Sequence, residues 1–182
     1  MSSIVAVVGS PSTGSRTVAV VEQFAERLRP DGHDVRLVAV RTLPPDALLG
    51  ADARDPLVAD AVAAVATADG VIVGSPVYKA SFSGVLKTFL DLLPPGVLAG
   101  KAVLPLLTGG AAVHALAVDY ALRPVLLALG ASRVVPGVFL IDRQVERVGG
   151  GVVLDADASR AVEAAIEEFT AALPLALPEV RR

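Results

Sequence analysis

The chain has 182 residues, 53% hydrophobic, 19% charged and 4% aromatic, with two tyrosines, no tryptophan and no cysteine. This suits one globular domain with a sizeable core and excludes disulfides, a thiolate nucleophile, an iron–sulfur cluster and a zinc ribbon. His33 and His114 are too far apart for a local metal cluster, so no metal is expected, and a net charge of −3 without a basic stripe disfavours nucleic acid. The apolar runs fall short of a membrane span and the N-terminus lacks a signal-peptide pattern, so the expected location is the cytoplasm, with no membrane contact.

In chain order, β-branched runs alternate with amphipathic stretches. A strand is predicted at 3–8, a helix at 16–29, a strand at 34–40 and a Pro- and Gly-bearing surface loop at 41–54. A helix at 56–68 then leads to a strand at 70–74, a helix at 82–93 and a strand at 102–107. A helix at 113–129, a strand at 134–140 and a helix at 156–172 complete the pattern. The five strands are apolar almost throughout, as parallel strands covered on both faces are. The prediction is an α/β fold, a flavodoxin-like doubly wound five-stranded parallel sheet with helices on both faces, although strand order is not fixed by sequence. Residues 1–172 form a single domain in this reading, and 173–182, with Pro174 and Pro178, a loose tail.

The first strand runs into Gly9-Ser10-Pro11-Ser12-Thr13-Gly14-Ser15-Arg16-Thr17, just before a helix. Exposed N–H groups and the positive end of the helix dipole suit an anion there. Gly9 and Gly14 have the spacing of a nucleotide P-loop, but Ser15 stands where its lysine belongs, and the dinucleotide Gly-x-Gly-x-x-Gly pattern is missing. What remains is a loop dense in hydroxyls, suited to a monophosphate such as that of FMN. An ordinary N-capping turn has the same composition.

Two further strand ends carry similar signals. The third is followed by Pro76-Val77-Tyr78-Lys79, and the fourth by Thr108-Gly109-Gly110. In a flavodoxin-like order both loops lie beside the first turn. Tyr78 offers a flat face to a ring, and paired glycines let backbone approach a planar ligand. Turn punctuation accounts for the same residues, with Tyr78 as an amphipathic rim residue.

Taken together, Gly-Ser-Pro-x-x-x-Ser-Arg-Thr in the first loop, the run from Ser75 to Asp91 (Ser-Pro-Val-Tyr-Lys-Ala-Ser-Phe-Ser-Gly-Val-Leu-Lys-Thr-Phe-Leu-Asp), Thr108-Gly-Gly110 and Asp119-Tyr-Ala-Leu-Arg-Pro124 resemble the NADPH-dependent FMN reductases. The likeness spans about residues 4 to 142 and is strongest to the reductase component of two-component alkanesulfonate monooxygenase systems. It implies that Ser10, Ser12, Ser15, Arg16 and Thr17 surround the FMN phosphate, while Pro76, Val77, Tyr78 and Lys79 with Thr108, Gly109 and Gly110 line the flavin ring. It further implies NADPH as hydride donor, a partner flavin-dependent monooxygenase and a homodimer or homotetramer, with the helix from residue 81 to 93 at the dimer contact. One departure is visible. An arginine often follows the first-loop proline in the family, but this chain has Ser12, leaving Arg16 as the nearby cation.

Pro124 lies inside the predicted helix 113–129. It has no N–H, and its ring clashes with the carbonyl of Tyr120, so the helix must kink or widen there, a π-bulge being one solution. The resemblance implies that Tyr120 packs at an oligomer contact and regulates flavin release; a tolerated kink with a core tyrosine is the alternative. His114 is read as a capping or packing residue, and Asp142, Arg143 and Gln144 as solvated loop charge or a nicotinamide rim. No catalytic side chain is expected, because hydride passes directly from nicotinamide to flavin. A flavodoxin-like electron carrier and an FMN-dependent quinone or azo reductase are the competing functions.

Overall fold

The computed structural model describes residues 1–174. The first half contains β1 (Ser3–Val8), α1 (Arg16–Leu28), β2 (Asp34–Ala39), a short α2 (Pro45–Leu49), α3 (Pro56–Thr67), β3 (Gly70–Tyr78) and β4 (Ser81–Phe82). Then come α4 (Gly84–Leu90), β5 (Ala102–Gly109), a 3-10 turn (Ala112–Ala115), a π-turn (Val118–Leu122) and α5 (Arg123–Ala128). The strands β6 (Arg133–Val134) and β7 (Val138–Ile141), the hairpin β8 (Val145–Val148) and β9 (Gly151–Leu154), and α6 (Ala156–Ala172) complete it.

The sheet order is β2-β1-β3-β5-β6, with β7 also paired to β5 and every one of these pairings parallel. This is the flavodoxin-like order 2-1-3-4-5, the fifth position being shared by β6 and β7. Alternation along β1 shows how both faces are covered. Ile4, Ala6 and Val8 pack with Phe24 and Leu28 of α1 and Val162 and Phe169 of α6, while Val5 and Val7 face Val58 and Val65 of α3 and Leu86 and Phe89 of α4. Burying each of these Val, Leu, Ile and Phe side chains contributes about 1.5–3 kcal/mol.

Several sequence expectations need correction. The strand expected at 134–140 is broken, because Pro136 lacks a ladder donor and a Cβ on Gly137 would lie 2.3 Å from Val118 Cγ1. The loop expected at 41–54 contains α2, started by Pro45 in its first turn. Phe82 is not helical but pairs with Val77 in an antiparallel strand, so α4 starts at Gly84 behind the N-cap Ser83. The third strand runs on to Tyr78. The hairpin at 145–154 was not expected at all. Of the tail, Leu173 is buried with its Cδ2 at 2.5 Å from where a Cβ on Gly70 would stand, so it packs against the sheet. Residues 175–182 lie outside the described residues.

The helix expected at 113–129 is three different turns. The π-turn ends at Leu122, and Pro124 then falls in the first turn of α5, where a missing N–H leaves no bond unmade. Pro124 therefore sits beyond a widened turn centred on Tyr120, which removes the clash. Arg123 fastens the junction, donating through Nε to Asp119 at 2.9 Å and through Nη1 and Nη2 to the carbonyls of Val134 and Val135 at 3.1 and 3.3 Å.

Candidate active site

The cleft lies at the carboxyl ends of β1, β3 and β5, beside the crossover where connections leave in opposite directions. From the first loop, Ser10, Ser12, Gly14, Ser15, Arg16 and Thr17 line it. Pro76, Val77 and Tyr78 come from β3, and Thr108, Gly109 and Gly110 from the end of β5. Asp142, from the 3-10 turn after β7, completes the wall.

Close packing beneath the cleft fixes its shape. A Cβ on Gly9 would stand 2.2 Å from Leu86 Cβ and 2.6 Å from its Cα, so only glycine lets the first loop cross α4. Gly9 N–H donates to Gly74 O at 2.9 Å, and its carbonyl accepts from the Ser83 hydroxyl. Ser83 also accepts from Leu86 N–H at 3.0 Å, and its own N–H donates to Ser75 Oγ at 2.9 Å. Ser75 and Ser83 are thus buried but bonded, joining the first and third loops under the floor.

Four hydroxyls in the wall differ in state. Thr17 Oγ1 and Thr108 Oγ1 lie 2.7 Å apart and are buried, tying α1 to β5. Ser15 caps α1, its Oγ accepting from Val18 N–H at 3.2 Å. Ser10 is only 2% exposed, yet its side chain makes no hydrogen bond among the described residues. Because Ser10 lines the cleft, its hydroxyl is available to a ligand with polar oxygens. The first-turn N–H groups of α1 have no intrahelical acceptors and favour an anion at the same end.

The remaining predicted residues fall outside the cleft. Lys79 is exposed in the two-residue turn between β3 and β4, where it and Ala80 adopt φ of +51° and +62°. This is the backbone of a type I′ hairpin turn made without glycine, so it stores strain next to Tyr78. Tyr120 is 80% exposed and lines a separate apolar depression with Ala80, Val113, His114 and Leu116. It is therefore not a core residue of this chain. His114 packs behind the cleft, with Nδ1 at 3.2 Å from where a Cβ on Gly109 would lie.

The sequence reading missed the cover on the first loop. Arg16 Nε donates to Val145 O at 3.1 Å, holding the β8–β9 hairpin against α1. The signal was present as Gly149-Gly150 between two short β-prone runs.

A family model described as NADPH-dependent FMN reductase matches residues 2–146. The chain belongs to the NADPH-dependent FMN reductase family. It is accordingly an oxidoreductase with FMN and NADPH as its cofactors. Among relatives, FMN reductase (NADPH) of Pseudomonas putida is 49% identical over 147 residues, spanning 81% of this chain and 75% of its own. FMN reductase (NADPH) of Escherichia coli is 46% identical over 144 residues, 78% of this chain and 74% of its own. The apo crystal structure of an NADH:FMN oxidoreductase, EMOB, superposes with a TM-score of 0.89 at 39% identity, covering 100% of this chain and 94% of that one. The lining of the cleft of this reductase thus lies wholly within the matched residues; the hairpin lies at and beyond their end.

Proposed function

We propose that this reductase takes a hydride from NADPH onto FMN in the cleft and releases reduced flavin to a separate flavin-dependent monooxygenase in the cytoplasm. The observation that carries the reading is the convergence of three strand-end loops on one cleft at the carboxyl ends of the parallel strands. When bound, FMN supplies the redox chemistry, accepting one hydride and one proton as NADPH becomes NADP+. The protein's task is then to bind, orient and exclude water.

Ser10, Ser12, Ser15, Arg16 and Thr17 hold the phosphate in this reading, through hydroxyls, first-turn N–H groups and one guanidinium. Pro76, Val77 and Tyr78 with Thr108, Gly109 and Gly110 flank the ring, and Lys79 closes the strained turn at its edge. A Cβ on Gly109 would press on His114 and Phe139 at 3.2 Å, so that glycine keeps the wall flat without displacing what lies behind it. Asp142 Oδ2 lies 3.8 Å from the corresponding point on Gly110 and stands at the rim, where the nicotinamide enters.

Exposed Val113, Leu116, Tyr120 and Leu127 form an apolar surface along the widened segment. Such a surface favours a homodimer or homotetramer, with Tyr120 at the contact governing flavin release. Among the described residues no helix is long and apolar enough to cross a membrane. An alkanesulfonate-cleaving monooxygenase is the partner proposed, from the motif resemblance at Ser75 to Asp91.

The test is a steady-state assay of purified protein with NADPH or NADH and FMN or FAD. Oxidation of NADPH that depends on free FMN, fastest with that pair, is expected. FMN kept through dialysis without NADPH oxidation would instead identify an electron carrier. Much faster turnover with a quinone than with free FMN would identify a quinone reductase.

A further inference from the structure

A phosphate monoester carries close to two negative charges at neutral pH, and hydrogen bonds from charged donors are roughly twice as strong as neutral ones. Within the first loop only Arg16 is cationic, and its Nε is already committed to Val145 O. The hairpin held by that bond brings a second guanidinium to the loop. Val145 is buried at its base, and two residues on, Arg147 Nη1 reaches 3.7 Å from the point where a Cβ on Gly14 would stand. Gly14 itself lines the cleft. Its missing side chain leaves the guanidinium room at the loop.

Arg147 is exposed and makes no hydrogen bond or ion pair among the described residues. Its register is fixed by pairing with Val152, and Gly14, which it approaches, directly precedes the N-cap Ser15 and the anion-favouring first turn of α1. The family match stops at residue 146, so family membership assigns nothing to this side chain.

We propose that Arg147 is the second cation of the phosphate site, delivered by the β8–β9 hairpin to bind the terminal phosphate of FMN. This rests on the reading that FMN occupies the cleft with its phosphate at residues 10–17. Arginine stays charged at all working pH values and presents a planar fork to phosphate oxygens, so the contact is selective for the phosphorylated flavin.

Apoprotein titrated separately with FMN and riboflavin, read by flavin fluorescence, tests the assignment. Arg147→Gln is expected to raise the Kd for FMN roughly tenfold and leave that for riboflavin unchanged, with Arg147→Lys intermediate. The FMN preference of the wild type should also fall with added salt more steeply than that of Arg147→Gln. An unchanged FMN Kd in Arg147→Gln overturns the role of Arg147 while leaving the FMN site intact. Equal weakening of both flavins overturns it too, by showing that the hairpin acts on the ring. A higher KM for NADPH but not NADH, with FMN affinity unmoved, would assign Arg147 to the nicotinamide nucleotide's extra phosphate instead. Wild type that binds riboflavin as tightly as FMN removes the phosphate site itself.

Discussion

The loops around the cleft and the segment from residue 112 to 128 border one another at Ala80, yet they are built on opposite terms. Beneath the cleft, buried hydroxyls are bonded within the chain, as in Thr17–Thr108 and the Ser75–Ser83–Gly9 relay. Along the widened segment, apolar side chains point outward, and Tyr120 is 80% exposed. The polar groups of the first region find partners within one copy of the chain; the second presents exposed apolar side chains. Stability and assembly should therefore respond to different residues.

The largest effect should come from Gly9→Ala, which drives a methyl into the backbone of α4 and is expected to cost about 3 kcal/mol in urea unfolding. A cost below about 1 kcal/mol would mean that the loop and α4 separate readily. Next, Thr17→Val or Thr108→Val alone should each cost about 1–2 kcal/mol by stranding the other hydroxyl, whereas the double variant should cost less than their sum. Strict additivity would show that the two walls are independent. On the other side of the comparison, Tyr120→Ala should change chain stability by no more than about 0.5 kcal/mol, while sedimentation shifts to a smaller species and flavin is retained more firmly. Unaltered assembly and flavin affinity would make the exposed tyrosine dispensable. The smallest effect is expected of Ala80→Gly, which relieves a positive φ at the boundary and should stabilise the chain by up to about 1 kcal/mol, seen as a higher Tm.

Legibility in the sequence follows the same division. Strand β1, helix α1 and helix α6 announce themselves through long uninterrupted periods and side-chain caps at Ser15 and Asp155, and their bounds match the expected ones closely. The three loops of the cleft were readable because glycines and prolines mark strand ends in a doubly wound sheet. The segment after Gly110 was harder. Its apolar residues recur at roughly helical spacing whether the turn is 3-10, π or α, so periodicity predicts one helix where three turns occur. Pro124 alone signalled the break, and it did so at the right residue. The hairpin escaped because three of four residues in β8 are exposed, and β9 has no buried residue to give a strong alternation. Pairing between Val145 and Leu154 is a contact at a distance that local pattern does not encode. Arg147 was invisible for that reason.

The placement of the two tyrosines has an optical consequence. Without tryptophan, near-ultraviolet emission from the folded chain comes from Tyr78 on the cleft and Tyr120 on the outer apolar surface, one for each region compared above. Replacing either with phenylalanine leaves a single intrinsic fluorophore. The Tyr120→Phe chain then reports ligand arrival at the cleft, and the Tyr78→Phe chain reports association of copies, from the same unlabelled protein.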